Sequence, residues 1–229
     1  MNISNRLKTI ANMVDECESI ADIGTDHGYI PIYLVKNGIC EHAIASDINA
    51  GPVKRAVNNV KAHGYYKTIL CRLGAGLNTI SAGEVDGAVI AGMGGYLIID
   101  ILEERMDIVK KLKFIVLQPV QHAEVLRKHL YKKGYEILDE ELCFDEGKYY
   151  EIIKVRYGEK ESKVEDIYCN VSRILIEKRH PLLKEYIEMK IRRNENAISS
   201  IDKDTDTARA RKQELIKLNT DLKEILKCL

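Results

Sequence analysis

The chain has no excess charge of either sign: 35 lysines and arginines face 35 aspartates and glutamates. Neutrality argues weakly against binding nucleic acid through a global field, and leaves room for a local basic patch. Also missing is any C-x-x-C pair. The cysteines (Cys17, Cys40, Cys71, Cys143, Cys169 and Cys228) are scattered, and they read as reduced cytosolic thiols serving as small core hydrophobes. His42, His63, His122 and His129 show no partner pattern, so no metal site is expected. No apolar run approaches transmembrane length, and the amphipathic N-terminal stretch has no apolar signal-peptide core. A soluble cytoplasmic protein with no membrane partner is the expectation. What is present suffices for a sizeable core: 229 residues, 45% of them apolar, enough for one large or two smaller domains.

The most informative segment is Asp22-Ile-Gly-Thr-Asp-His-Gly28, with Asp47 at the end of the next apolar run. A short strand leads into two glycines, a helix follows, and a second strand ends in a lone carboxylate. This is how an open α/β sheet grips the adenosine half of a cofactor. Gly24 permits a sharp turn, Gly28 lets backbone approach a ligand, and Asp47 can accept two hydrogen bonds from a ribose diol. The third glycine of the dinucleotide fingerprint is absent. Asp26, between the two glycines, would repel a pyrophosphate but suits an ammonium or a sulfonium. The motif therefore points to S-adenosylmethionine rather than a nicotinamide cofactor. The bland alternative is an ordinary strand-to-helix turn.

Strand and helix alternate along the chain. A leading helix is expected over Ile3–Val14, and strands over Ser19–Ile23, Ala43–Asp47, Thr68–Arg72, Gly87–Ala91 and Phe114–Leu117. Helices lie between them, and two closing strands, Ile137–Phe144 and Tyr149–Val155, flank Asp145-Glu-Gly147. Alternation demands a mostly parallel sheet with helices on both faces, and the hairpin adds an antiparallel edge strand. That is an α/β, Rossmann-like, class I methyltransferase architecture, assigned to residues 1–157. Residues 158–229 change character after a polar linker. A shorter helix is expected over Asp166–Ile176, and Pro181 opens a long one. One stripe runs through Leu183, Ile187, Ile191, Asn194, Ile198 and Ile201. A second, heptad-like, runs through Ala208, Arg211, Leu215, Leu218, Leu222, Ile225 and Leu229. Asp202–Asp206 is the expected turn between them, with Thr205 capping the second helix. A C-terminal coiled-coil hairpin follows. Periodicity leaves the oligomeric state open, with a monomer preferred.

Five motifs occur in order, each at or beyond the carboxyl end of a strand: Asp22-Ile-Gly-Thr-Asp-His-Gly-Tyr29, Ser46-Asp-Ile48, Gly74-Ala-Gly-Leu77, Ala91-Gly-Met-Gly-Gly95 and Leu117-Gln-Pro119. Together with the helical C-terminus, this set resembles the bacterial tRNA (adenine-22-N1)-methyltransferase family, over essentially the whole chain. The resemblance implies a two-domain enzyme that uses S-adenosylmethionine to methylate N1 of adenosine 22 in tRNA. It implies that Asp22 supports the Gly24–Gly28 turn, and that Thr25, Asp26 and His27 face the methionine end. Asp47 would hold the ribose, Ile48 would pack on the adenine, and Gly74, Ala75, Gly76 and Leu77 would flank it. Ala75 stands where many class I enzymes place a residue that bonds the adenine amino group. Gly92, Met93 and Gly94 would meet the target base, with Gln118 and Pro119 as further base-side candidates. Family members often carry Asn after this Gln-Pro; here it is Val120.

Adenine N1 has a lone pair and no proton, so no general base is required, and the lack of a Ser/His/Asp set is expected. Asp26 and Gln118 are candidates to stabilise charge developing on the base. Candidate tRNA phosphate contacts are Arg6, Lys178, Arg192, Arg193, Arg209 and Arg211, with Lys8, Lys110, Lys111, Lys113, Arg127 and Lys128 extending the footprint. Their bland reading is a solvated helix face. Tyr149-Tyr150 reads as sheet packing, with stacking of an exposed tyrosine on a base as the alternative. The competing functions are a methyltransferase for a small molecule or protein, whose coiled coil dimerises, and a silent cofactor-fold module.

Overall fold

Successive apolar residues along the strands point to opposite sides, so each strand feeds two cores. In the first strand Ile20 enters one cluster and Ala21 the other, and Val89 and Ile90 divide the same way. A computed structural model describes residues 3–202 and 205–229. Lys203 and Asp204, inside the expected Asp202–Asp206 turn, lie outside the described residues. The chain divides into two compact units, Met1–Val164 and Glu165–Leu229.

The first unit runs α1 (Asn5–Asn12), β1 (Cys17–Ile23), α2 (Tyr29–Lys36), β2 (Cys40–Asp47), α3 (Ala50–Ala62) and β3 (Ile69–Leu73). A 3-10 turn (Gly76–Thr79) follows, then β4 (Gly87–Gly94), α4 (Gly95–Glu104), α5 (Met106–Val109), β5 (Phe114–Gln121), α6 (Ala123–Lys132), β6 (Tyr135–Asp145) and β7 (Lys148–Tyr157). The sheet order is β3-β2-β1-β4-β5-β7-β6. β1 to β5 pair in parallel. Residues of α1, α2 and α3 join the core on one face, and residues of α4, α5 and α6 join the core on the other. The antiparallel edge is present, with one detail the sequence reading did not contain. The second hairpin strand, β7, inserts beside β5, and the first, β6, takes the edge. Glu146 and Gly147 turn the hairpin with φ of 47° and 77°, the left-handed pair that matches strand twist in a two-residue turn.

Two strands are longer than expected. β4 continues through the glycine motif to Gly94, with register shifts against β5 on either side of Met93. Gly92, at φ 77°, supplies the left-handed residue that such an irregularity uses. β5 continues past Leu117 to Gln121. Pro119 pairs with Met93 at the irregular point, where a missing N–H disturbs the ladder least. The order reverses between β1 and β4: the chain winds outward through β2 and β3, then returns to β4 on the other side of β1. Carboxyl ends at such a switch point leave a crevice for ligands.

The second unit contains α7 (Asp166–Asn170), α8 (Arg173–Glu177), α9 (Leu183–Ser199) and α10 (Asp206–Cys228). The single helix expected over Asp166–Ile176 is broken. Val171 is extended, and Ser172 caps a new helix by accepting from Leu175 N at 3.2 Å. α9 and α10 pack together. Leu183, Tyr186, Ile187 and Ile191 of α9 are buried, as are Leu215 and Leu222 of α10. Asn194 Nδ2 donates to Asn219 Oδ1 at 2.8 Å, and Lys223 Nζ reaches Glu195 at 3.1 Å. Thr205 Oγ1 caps α10 by accepting from Ala208 N at 3.2 Å. Arg211, placed on the stripe by its spacing, is exposed and bonds Glu214 at 2.6 Å instead.

Candidate active site

At the end of β1 the chain must turn away without leaving the sheet. Gly24 N and Thr25 N both donate to Ser46 O of β2 at 2.8 Å, which pins the turn to the neighbouring strand. Gly24 and Gly28 have φ of 81° and 68°, a region where a Cβ is penalised. Thr25 Oγ1 accepts from Gly28 N at 3.0 Å and closes the loop, and Gly28 then caps α2. Space matters as well as torsion. A Cβ on Gly28 would sit 3.4 Å from Ala56 Cβ of α3, and one on Gly24 would overlap Met93 Cε. Met93, expected to meet the target base, thus has its methyl group over the first glycine.

A cavity of about 390 Å³ opens at the switch point. Asp22, Gly24, Thr25, Asp26, His27 and Gly92 line it, joined by Tyr29, Ile30 and Ala91, and by Arg6 and Leu7 of α1. Asp22 is 6% exposed. Loss of water pushes its carboxyl from 3.8 up to about 6, opposed by a hydrogen bond to Thr25 and assisted by the neighbouring charge of Asp47. Asp26 is exposed, ion-paired with Arg55 of α3, and 3.2 Å from His27 Nε2. The His27 ring stacks on Tyr29 with centroids 5.0 Å apart and planes within 9°.

Asp47 ends β2, with one carboxylate oxygen accepting from Asn49 N at 2.7 Å. Beside it Ile48 is 66% exposed, an apolar side chain held in solvent at the strand tip. Gly74 N donates to Asp47 O at 3.0 Å, which brings the loop after β3 to the same place. Ala75 is exposed, and Gly74 and Gly76 are half-buried. Leu77 is a correction: it lies in the core at 1% exposure, because the 3-10 turn points it inward, so it cannot flank a ligand.

Gln118 and Pro119 are corrected too. Both are buried within β5, so neither forms a cavity surface. Gln118 Nε2 donates to Pro119 O at 2.9 Å, and its Oε1 accepts from Arg6 Nη1 at 2.8 Å. Arg6, expected in a tRNA footprint, instead brings its guanidinium to the cavity wall, with Cζ 5.4 Å from the Tyr150 ring centroid. Arg127 is fully buried in α6 and bonds Glu140 at 2.7 Å and Glu151 at 2.6 Å. It is unavailable to phosphate.

In the second unit Lys178, Arg192, Arg193, Arg209 and Arg211 are exposed. Arg192 lies 3.9 Å from Glu188, and Arg209 2.6 Å from Asp206. Sequence reasoning missed the roles of Arg6, Arg55 and Tyr150 in the site. Arg6 sits on an ordinary amphipathic helix, and its partner is 112 positions away. Among the described residues no cluster of His, Cys, Asp and Glu is placed to hold a metal ion, and no helix is long and apolar enough to cross a membrane.

Residues 3–153 match the family described as a methyltransferase domain. The chain is 34% identical over 232 residues to the tRNA (adenine(22)-N(1))-methyltransferase of Bacillus subtilis, covering 99% of this chain and 96% of that one. Its structure resembles that of the B. subtilis M1A22 tRNA methyltransferase TrmK, with a TM-score of 0.86 at 32% identity and coverage of 98% and 99%. It also resembles a Streptococcus pneumoniae protein solved in complex with S-adenosyl-L-methionine, with a TM-score of 0.88 at 32% identity and coverage of 98% and 100%.

Proposed function

We infer, from the premise that this chain belongs to the bacterial tRNA (adenine(22)-N(1))-methyltransferase family, that it transfers a methyl group from S-adenosylmethionine to N1 of adenosine 22 in tRNA. The observation that carries this reading is the cavity at the switch point, walled by the Gly24–Gly28 turn and Gly92. The residues fit the cofactor. Gly24 lines the cavity with no side chain, Asp47 keeps an oxygen for a ribose hydroxyl, and exposed Ile48 offers an apolar face for an adenine.

When bound, S-adenosylmethionine supplies an electrophilic methyl group on a sulfonium. The residues of the chain have no proton to abstract, because adenine N1 attacks with a free lone pair. Asp22 sets a buried carboxylate in the wall, which favours a cationic ligand. Asp26 adds a second carboxylate, steadied by Arg55. Gly92 and the bulged end of β4 leave open backbone on the side where the base would enter. Catalysis then rests on in-line positioning and exclusion of water rather than on acid–base chemistry. The target base lies in folded tRNA and is reached by extrusion from its stack.

The assigned site is Asp22, Gly24, Thr25, Asp26, His27, Gly28, Asp47, Ile48, Gly74, Ala75, Gly76 and Gly92, with Met93 at the meeting point of cofactor and base. Residues 158–229 are assigned as a coiled-coil domain that contacts tRNA through Lys178, Arg192, Arg193, Arg209 and Arg211. Pairing of α9 with α10 of the same chain supports a monomer. The enzyme would work in the cytoplasm, where its substrate is. The direct test is methyl transfer from labelled S-adenosylmethionine to unmodified bacterial tRNA, beside the same tRNA with adenosine 22 replaced by guanosine. Label in the first alone is expected. Label in both would move the site, and label in neither would remove tRNA as the substrate.

A further inference from the structure

Gly95, the last residue of the Ala91-Gly-Met-Gly-Gly95 motif, does not line the cavity, yet nothing larger fits there. A Cβ on Gly95 would overlap His122 O, and one on Gly94 would sit 3.2 Å from Gln121 Nε2. The two glycines thus press the start of α4 against the end of β5. The next residue on each side is aromatic. Tyr96 and His122 meet with ring centroids 5.1 Å apart and planes tilted by 59°, so they do not cover each other's faces as stacked rings do. Tyr96 is 58% exposed, and Leu97 beside it and Val120 before the turn are exposed too. His122 is held at φ of 58°, a left-handed conformation uncommon for a residue with a side chain. Such strain persists only where the surroundings impose it, and it gathers at ligand-binding places. One exposed apolar side chain would need no explanation. Here an open aromatic pair, a strained backbone and a close glycine contact coincide.

The place of this shelf in the fold says what it holds. Gly92 lines the cavity, and Tyr96 follows it by four residues, a stretch of chain that spans no more than about 14 Å. The rings therefore border the side on which the target base would enter. Extruding one base from a stack leaves its neighbours without a partner on that side, and exposed aromatic rings are what proteins offer to unstacked bases. A phosphate is disfavoured at the same spot. Glu124 Oε1 lies 3.5 Å from His122 Nδ1 and sets a negative charge beside the rings. Resting on the tRNA methyltransferase reading above, we propose that Tyr96 stacks on a nucleobase adjoining the target adenosine. His122 fixes the tilt of the shelf, and Gly95 allows the approach that builds it. Every base has a π-face, so this contact selects an unstacked neighbour rather than a sequence.

The test is a cycle between enzyme and RNA. Methyl-transfer kinetics of wild type, Tyr96→Phe and Tyr96→Ala are measured on intact tRNA and on two tRNAs that lack the base on one side or the other of adenosine 22. On intact tRNA, Tyr96→Ala should lower kcat/KM by about 5- to 100-fold, the worth of one stacked base. Its calorimetric affinity for S-adenosylhomocysteine should stay at the wild-type value, because the shelf lies outside the cavity. Tyr96→Phe should behave as wild type, because it keeps the ring. On one of the two abasic tRNAs wild type should suffer the same loss, and Tyr96→Ala should add nothing to it. Losses that add on both abasic tRNAs would overturn the proposal. So would a phenylalanine variant as impaired as the alanine one, or an alanine variant with unchanged kcat/KM. Weakened S-adenosylhomocysteine would make Tyr96 a support of the cavity and overturn it too. Wild type that binds S-adenosylhomocysteine yet methylates no tRNA would instead sink the underlying reading of the substrate.

Discussion

Asp22 offers a quantitative check on the site, because the fold holds a carboxylate there at a cost. Burial raises its pKa from 3.8 to about 6, and each tenfold change in proton affinity is worth about 1.36 kcal/mol. The whole rise is therefore worth about 3 kcal/mol. The sign is that of an acid whose folded-state pKa is raised. At low pH both folded and unfolded chains hold the proton. As pH climbs, the unfolded chain releases it first, so folded stability falls through this window and levels off above the folded pKa. Asp22→Asn removes the titration while keeping most of the volume. The stability of the variant relative to wild type should then rise by about 2 kcal/mol between roughly pH 4.5 and roughly pH 7.5, part of the full effect. Urea unfolding of both ligand-free proteins across that range measures it. Altered hydrogen bonding to Thr25 adds a constant offset, and other titrating groups are common to both proteins, so only the slope of the difference counts. Parallel stability curves would refute the reasoning. The same substitution should weaken S-adenosylmethionine more than neutral 5′-methylthioadenosine, because it removes a buried negative charge from a site for a cation.

Arg127→Met should destabilise the fold by about 3–5 kcal/mol in chemical denaturation, since it takes the guanidinium away from the buried carboxylates of Glu140 and Glu151. Adding Glu140→Gln and Glu151→Gln should restore much of that loss; no recovery in the triple variant would show that packing, not charge, is what Arg127 contributes. Asp47→Ala should weaken S-adenosylhomocysteine and 5′-methylthioadenosine alike, by about 10-fold or more, because both carry the ribose diol. Discrimination between the two would move Asp47 off the ribose. Replacing Arg192, Arg193, Arg209 and Arg211 together by Ala should weaken tRNA binding and lower the slope of log affinity against log salt by about 3. An unchanged slope would leave these arginines as the solvated helix face that their local pairing with acids also allows.

What the sequence alone determined is whatever depends on neighbours along the chain. Alternating strand and helix patterns are local, and they dictated a mostly parallel sheet with helices on both faces. Gly24 and Gly28 were legible because a left-handed backbone needs glycine wherever the rest of the chain lies. Asp47 was legible as the tip of β2 because the apolar run stops there. The helical character of the C-terminal segment came through its periodicity. The tertiary structure decided what depends on residues far apart in sequence. Arg127 and Arg6 look alike in the chain, as basic residues on amphipathic helices. One is buried between carboxylates of β6 and β7, and the other reaches the cavity beside an amide of β5. Leu77 and Gln118 sat in promising motifs, yet their strand and turn face them into the interior. β7 entered the sheet ahead of β6, a choice of pairing partner that alternation cannot express. A side chain's charge and size are written in the sequence, but whether it meets water, a ligand or a buried partner is set by which distant strands it finds on folding.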